Sequence, residues 1–330
     1  MMLKFASLTY PDSVGNLGDT IQTLAAERFL PQVDRHLDRD ALHAVAGPDK
    51  YLIICNGWFT THPENWPPSA AIAPVFWGLH LVNTPRVRQA MSRPESLAYF
   101  KRHEPIGCRD METAQWLTHK GIRTVYSRCV TLTLPRRSTE GHQPDKVFLV
   151  DCDPNEIPLP GCLEQGAIEV THSISSIYPD AIRRRLANYL LEVYRQQARL
   201  VITTRLHCAL PCIAMGIPVI FVGNPREGRV SVLRELGCEF HPLPNVLRRY
   251  VYKALRQLPW RLKHHPRLQK VAGAVSEWGR RRLINRRVNW NPPALDIEDE
   301  KARLSAALRC RIQEVMATVS ATEQETKSCA

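Results

Sequence analysis

The chain has 330 residues, enough for two domains of ordinary size, and its 44% hydrophobic and 23% charged content is that of a globular protein. No apolar run approaches the ~20 residues that span a bilayer, and the first ten residues lack the apolar core and cleavage site of a signal peptide, so the expected location is the cytoplasm. The net charge of +12 is local: residues 248–288 hold thirteen Lys or Arg against one acid, Glu277, and the rest of the chain is balanced.

Leu3 to Leu8 predicts a strand and Thr20 to Leu30 a helix with Ile21, Leu24, Ala25 and Phe29 on one side. In the turn between them, Asp12 to Asp19, Gly15 and Gly18 admit close approach of a ligand to the backbone, and Asp19 reads as the helix N-cap. A plain capped turn explains the same residues, and the dinucleotide spacing G-x-G-x-x-G is absent. Tyr51 to Cys55 reads as a buried strand followed by Asn56-Gly57-Trp58-Phe59, Pro63 to Pro74 as a loop, and Val75 to Leu81 as a further strand. Trp58, Trp66 and Trp77, near these strand ends, suit stacking on a sugar ring and suit core packing equally. Ile106 to Cys108 is a short apolar run ending in Arg109-Asp110 before a helix, Met111 to His119. A cation there faces the ligand crevice of an open parallel sheet, or else Arg109 and Asp110 are simply charge partners. Ile122 to Tyr126 is the next strand.

Pro135 to Asp145 is polar and proline-bounded, and reads as a linker and hinge. Lys146 to Asp151 and Ile168 to Thr171 follow as strands, then a long helix, Asp180 to Ala198, with Ile182, Leu186, Leu190 and Val193 inward. The run Leu200-Val201-Ile202-Thr203-Thr204 ends in Arg205-Leu206-His207, after which Cys208 to Met215 predicts a helix, Gly216 its end and Ile217 to Val222 a parallel strand. Pro211 falls in that helix's first turn, where a missing N–H costs nothing. Cations at a helix N-terminus oppose the helix dipole by ~0.3 to 1 kcal/mol each, a cost that an anionic ligand reverses. In the alternative reading Arg205 pairs with an Asp or Glu on a neighbouring loop and His207 is a capped or buried imidazole. From Arg248 onward the pattern is helical and basic, with Tyr250, Tyr252, Trp260, Trp278 and Trp290 interleaved. That composition suits an anionic lipid surface, a nucleic acid backbone, or a solvated face with no partner. Lys301 to Val319 predicts a last helix and Ala321 to Ala330 a disordered tail. The ten cysteines are scattered, and Cys55, Cys108, Cys129, Cys152, Cys208 and Cys238 follow or interrupt apolar runs, with no Cys-x-x-Cys pair, as expected of reduced, buried thiols rather than disulfides or a zinc site.

Thr204-Arg205-Leu206-His207 followed by Gly216-Ile217-Pro218-Val219 resembles the Arg-Leu-His signature of the polysaccharide pyruvyltransferases. Gly15-Asn16-Leu17-Gly18-Asp19 is similar to the Asn-x-Gly-Asp turn with which that family opens, and Arg109-Asp110 before Thr113 is similar to its Arg-Asp pair. Trp58 and Phe59 depart from the family's glycine run, and where a lysine commonly follows the strand ending at Val222, the matching cation is Arg229, with Arg226 its competitor. The resemblance covers residues 1–245. It implies an α/β fold of two Rossmann-like domains with mostly parallel sheets facing across a cleft (glycosyltransferase-B-like), plus the basic helical C-terminal segment. The expected division is 1–140 (acceptor side), 145–247 (donor side) and 248–330 (basic extension and tail). The implied activity is transfer of the enolpyruvyl group of phosphoenolpyruvate onto two sugar hydroxyls of a surface polysaccharide or its precursor, giving a pyruvate ketal and phosphate. His207 is then the catalytic acid/base; Arg109, Arg205, Arg229, Asn16, Gly18 and Asp19 bind substrate; neither metal nor redox cofactor is needed. A lipid-linked acceptor would place the enzyme at the inner membrane face, with residues 248–288 against anionic lipid; nucleic acid is not the expected partner. The competing functions are a nucleotide-sugar glycosyltransferase of the same architecture and a noncatalytic membrane or nucleic-acid binder.

Overall fold

The computed structural model describes residues 2–11, 15–59, 61–138, 140–141 and 143–328. Asp12 to Val14 of the first turn, Thr139 and His142 of the expected linker, and Cys329 and Ala330 of the tail lie outside the described residues. The strands are β1 (Leu3–Thr9), β2 (Arg35–Asp38), β3 (Lys50–Trp58), β4 (Ile72–His80), β5 (Ile106–Cys108), β6 (Thr124–Tyr126), β7 (Lys146–Val150), β8 (Ile168–Val170), β9 (Ala198–Thr203), β10 (Val219–Val222) and β11 (Glu239–His241). The α-helices are α1 (Leu17–Glu27), α2 (Pro85–Met91), α3 (Pro94–Arg102), α4 (Met111–His119), α5 (Gly161–Glu164), α6 (Asp180–Gln197), α7 (Leu206–Ala214), α8 (Ser231–Glu235), α9 (Val246–Arg261), α10 (Pro266–Leu283) and α11 (Glu298–Ser328). Every strand pairing is parallel, in two sheets ordered β2-β1-β3-β4-β5-β6 and β11-β10-β9-β7-β8, so the α/β expectation holds. Near-continuous apolar runs such as Tyr51–Cys55 and Val219–Val222 are what parallel strands covered on both faces require.

The compact units interleave along the chain. The first comprises Met1–Pro135, Ser173–Leu191 and Ile297–Ala330; the second comprises Arg136–His172 and Glu192–Asp296. The chain therefore passes between units inside α6 as well as at Pro135, His172 and Asp296. Residues 248–330 do not form one extension: α9 and α10 belong to the second unit and α11 to the first. On α11, Leu304, Leu308 and Ile312 are buried at helical spacing, and the helix runs to Ser328, past the expected Val319, through residues rich in good helix formers. Arg311 ties it down by donating to the carbonyls of His103 and Glu104 at 2.8 and 2.9 Å.

The first unit's core lies on β1, β3 and β4 with Phe76, Tyr99 and Phe100 around Trp66. Trp66 and Trp77 are therefore core residues, and of the three tryptophans proposed for sugar stacking only Trp58, 46% exposed, is placed for it. Beside Tyr99, burial pushes the His103 pKa down to about 4, with Arg102 and Arg311 adding to the shift. Burial likewise lowers His80 and His241. Histidines held neutral in the native state stabilise it fully above the unfolded pKa of ~6.5 and lose that contribution as pH falls toward the native value. The melting temperature should therefore drop between about pH 6.5 and 4, and less steeply in His103→Gln; a pH-independent wild-type melting temperature across this window would contradict the assignment.

On α6 the buried face is Arg183, Ala187, Leu191 and Tyr194, one position on from the expected Ile182, Leu186, Leu190 and Val193. The offset has a polar cause. Arg183 is buried and donates to the carbonyls of Tyr10, Ser176 and Tyr178 at 2.6, 2.7 and 2.9 Å, so a cation occupies the inward position that hydrophobicity would have given to Ile182.

Candidate active site

In the second unit, the chain leaves β7 for β8 on one side of the sheet and lies against β9 on the other, so the strand order reverses between β7 and β9. Ligands of open α/β sheets bind beyond the carboxyl ends of the strands at such a reversal. The register pairs Val150 with Thr203 and with Val170, which sets Asp151, Thr204 and Thr171 side by side, each one residue past its strand. Asp151 adopts φ = 51°, a left-handed conformation that aspartate tolerates better than most residues. Its carboxylate accepts from the Thr171 hydroxyl (2.6 Å), the His172 backbone N–H (3.0 Å) and Arg205 Nε (2.8 Å). The Arg205 N–H in turn donates to the Thr203 hydroxyl at 2.9 Å, and Thr204 Oγ1 donates to the Asp151 carbonyl at 3.0 Å.

The ion-pair reading of Arg205 is thus correct, and it is compatible with ligand binding. Arg205 remains 38% exposed while Asp151 is 14% exposed, so the carboxylate sits behind a cation that faces outward. Burial raises the Asp151 pKa, but the Thr171, His172 and Arg205 contacts outweigh it and bring the carboxyl below its usual range, so it stays charged at neutral pH. Asp151 and His172 were missed as site residues, although their positions at strand ends were visible. His172 is fully buried, its Nε2 2.9 Å from the Tyr194 hydroxyl, and it anchors the loop from behind.

Arg205 is the N-cap residue of α7, which starts at Leu206, two residues earlier than expected. Pro211 is consequently not in the first turn. It removes the backbone donor that would bond the His207 carbonyl, and the helix departs from regular geometry at His207 itself (φ −86°, ψ 19°). The half-buried His207 is thereby offered at the helix mouth beside Arg205. Arg229 follows β10, the next strand over, in a short 3₁₀ turn, Gly228–Val230; it is 61% exposed and paired with Glu227. A cavity of about 890 Å³ opens elsewhere in this unit, beside Gly161 to Gln165, but its arginines are already paired, Arg256 and Arg280 with Glu164 and Arg281 with Glu277, and it lacks the strand-end groups.

In the first unit the strand order reverses between β1 and β3. The turn after β1 meets that point, and Asn16, not Asp19, caps α1: its Oδ1 accepts from the Gly18 N–H at 3.0 Å. Asp19 is released from capping and presents a half-buried carboxylate in the first turn, where Gln22 Nε2 donates to it at 3.2 Å. Burial raises its pKa, while Arg39 and Arg109 pull it back. Gly15 does provide a close backbone approach, but to the protein's own chain: a Cβ there would lie 1.6 Å from the Ile174 carbonyl oxygen, and the Gly15 carbonyl accepts from Ile174 N–H at 2.7 Å.

Arg109 is buried at the end of β5, and Asp110 caps α4 through the Thr113 N–H (2.9 Å) while its other oxygen meets His80 Nδ1 at 2.6 Å. Asp110 is thus committed to His80 and the cap. Arg39, which sequence reasoning missed, is 6% exposed, with its Nη2 2.7 Å from Asp40 and 2.8 Å from the Thr61 hydroxyl and its guanidinium over Tyr10. Among the described residues no three His, Cys, Asp or Glu side chains form a metal site.

The family model for polysaccharide pyruvyl transferases matches residues 16–226. The chain belongs to the polysaccharide pyruvyl transferase family. The match opens at Asn16 and takes in Asp19, Arg109, Asp151, Arg205 and His207, and it ends at Arg226, before Arg229 and the α9–α10 pair. No individually curated protein matches the sequence significantly. Membership makes this pyruvyl transferase an enzyme of polysaccharide biosynthesis acting on a saccharide acceptor. No helix among the described residues is long and apolar enough to cross a membrane.

Proposed function

We propose that the transferase uses phosphoenolpyruvate as donor, bound in the second unit at the Arg205–His207 turn, and forms a cyclic pyruvate ketal on two hydroxyls of a saccharide, which a lipid-linked precursor would present. The observation that carries this reading is the outward-facing Arg205 fixed on Asp151 at the sheet's reversal point, beside a half-buried histidine at a helix N-terminus. A small dianion with a separate carboxylate calls for such a constellation: a preset cation, helix amides and a proton carrier. In the proposed reaction the donor's methylene carbon gains a proton as one sugar hydroxyl adds to its central carbon. Phosphate then leaves as the second hydroxyl attacks, so one hydroxyl proton ends on the new methyl group and the other on phosphate. His207 carries these protons as general acid/base. Arg229 supplies a second cation to the donor, and its exposed side chain can exchange Glu227 for phosphate.

In the first unit Asn16, Gly18, Asp19 and Arg109 bind substrate, with Asp19 accepting from a sugar hydroxyl, and Trp58 offers a stacking face. No redox cofactor or metal enters the scheme. Titration calorimetry tests the donor site. Arg205→Ala should weaken phosphoenolpyruvate binding by ~10- to 100-fold, the equivalent of one charge-assisted hydrogen bond, with Arg205→Lys intermediate because it keeps charge but loses the forked geometry. Unchanged affinity in Arg205→Ala would remove the donor from this turn.

A further inference from the structure

The helices α9 and α10 pack on one another through a small inner face. Tyr252, Ala272 and Ser276 are buried, and Gly279 lets Leu255 approach so closely that a Cβ there would lie 2.9 Å from its Cδ1. The pair is fastened to the second unit by Arg249 on Glu156 (3.1 Å) and by Arg256 and Arg280 on Glu164. These contacts leave a second apolar stripe on each helix. On α10, Leu268, Val271, Val275 and Trp278 recur at steps of three and four residues and are 54%, 62%, 47% and 59% exposed. On α9, Tyr250 and Val251 lie three and four positions after Leu247, and the three residues are 74% (Leu247), 69% (Tyr250) and 43% (Val251) exposed. Packing of the hairpin explains none of them, and exposed apolar surface organised in this way marks a contact site.

Charge identifies the occupant. Arg261, Lys263, Arg267, Lys270, Arg282 and Arg287 are exposed cations on the hairpin or just beyond its ends, none with an ion pair among the described residues, and the hairpin's one acid, Glu277, is taken up by Arg281. Lys263 and Arg282 lie over the rings of Trp260 and Trp278, 4.6 and 4.0 Å from the centroids, joining cation and aromatic in one surface. A phosphate backbone would satisfy the cations but leave Leu247, Leu268, Val271 and Val275 in water. An anionic bilayer surface satisfies both, since headgroups meet the basic rim while Leu, Val and Trp enter the acyl boundary.

We infer that the α9–α10 hairpin is a docking surface for anionic lipid bilayers. The inference stands independently of the donor site. It is tested by flotation of the full-length protein with vesicles of phosphatidylcholine containing phosphatidylglycerol, beside vesicles of phosphatidylcholine alone, with duplex DNA binding and sedimentation run on the same preparations. The expected result is recovery with the anionic vesicles, falling as salt is raised, with each of Arg267→Gln and Lys270→Gln weakening partitioning roughly fivefold. The triple variant Val271→Ser, Val275→Ser, Trp278→Ser should lose flotation while keeping the wild-type melting temperature, because all three side chains are exposed. Equal recovery on neutral vesicles would overturn the inference, as would duplex binding without flotation, or a dimer that the triple variant converts to monomer.

Discussion

His207→Ala is expected to lower turnover by ~10²- to 10⁴-fold, the usual contribution of a general acid/base, while donor affinity and melting temperature change little. The reasoning is geometric. His207 is half-buried at the irregular first turn of α7, two residues after Arg205, and the Arg205–Asp151 pair is made by other side chains, so a substitution at His207 leaves the atoms of that pair in place. His207→Gln should be equally slow, because an amide keeps a polar side chain at this position but cannot carry a proton. Single-turnover measurement separates chemistry from binding; near-normal turnover in either variant would exclude His207 as the proton carrier.

The second large effect is on stability. Arg39→Met should destabilise the protein by about 3 to 5 kcal/mol, the cost of leaving one member of a buried ion pair without the other. The side chains of Arg39 and Asp40 are 3% and 8% exposed, and the guanidinium also holds Thr61, so the substitution strands a buried carboxylate. Replacing both members, Arg39→Met with Asp40→Leu, should recover much of the loss, since two apolar groups carry no desolvation cost. Urea unfolding reads both variants. A loss below about 1 kcal/mol in the single variant would place the pair among weak surface bridges. Arg39 also holds the Asp19 carboxyl down, so its loss should move any Asp19-dependent limb of the pH–rate profile to higher pH.

Most strands of the two sheets were legible because they are short apolar runs closed by turn residues, and the strand-end positions of Arg109 and Arg205 followed from that. What escaped had a mixed or long-range signal. β2, Arg-His-Leu-Asp, is an edge strand with one buried residue and no apolar run, so the turn after it and the buried Arg39 went unnoticed. Capping by Asn16 rather than Asp19 moved the start of α1 and left the Asp19 carboxylate to Gln22 instead of the helix N-terminus. The partnership of Arg205 with Asp151 depends on β7 lying beside β9 across 54 positions of chain, which local pattern cannot show. The return of α11 to the first unit is a tertiary fact of the same kind.

The measurement that bears most directly on the central claim is a mass-resolved assay of the purified transferase with phosphoenolpyruvate and a panel of glycan acceptors, with released phosphate followed in parallel. The account predicts an acceptor heavier by one pyruvate ketal and one inorganic phosphate for each ketal formed, both greatly diminished in His207→Ala. Glycosyl transfer from a nucleotide sugar, with phosphoenolpyruvate left intact across the panel, would contradict it.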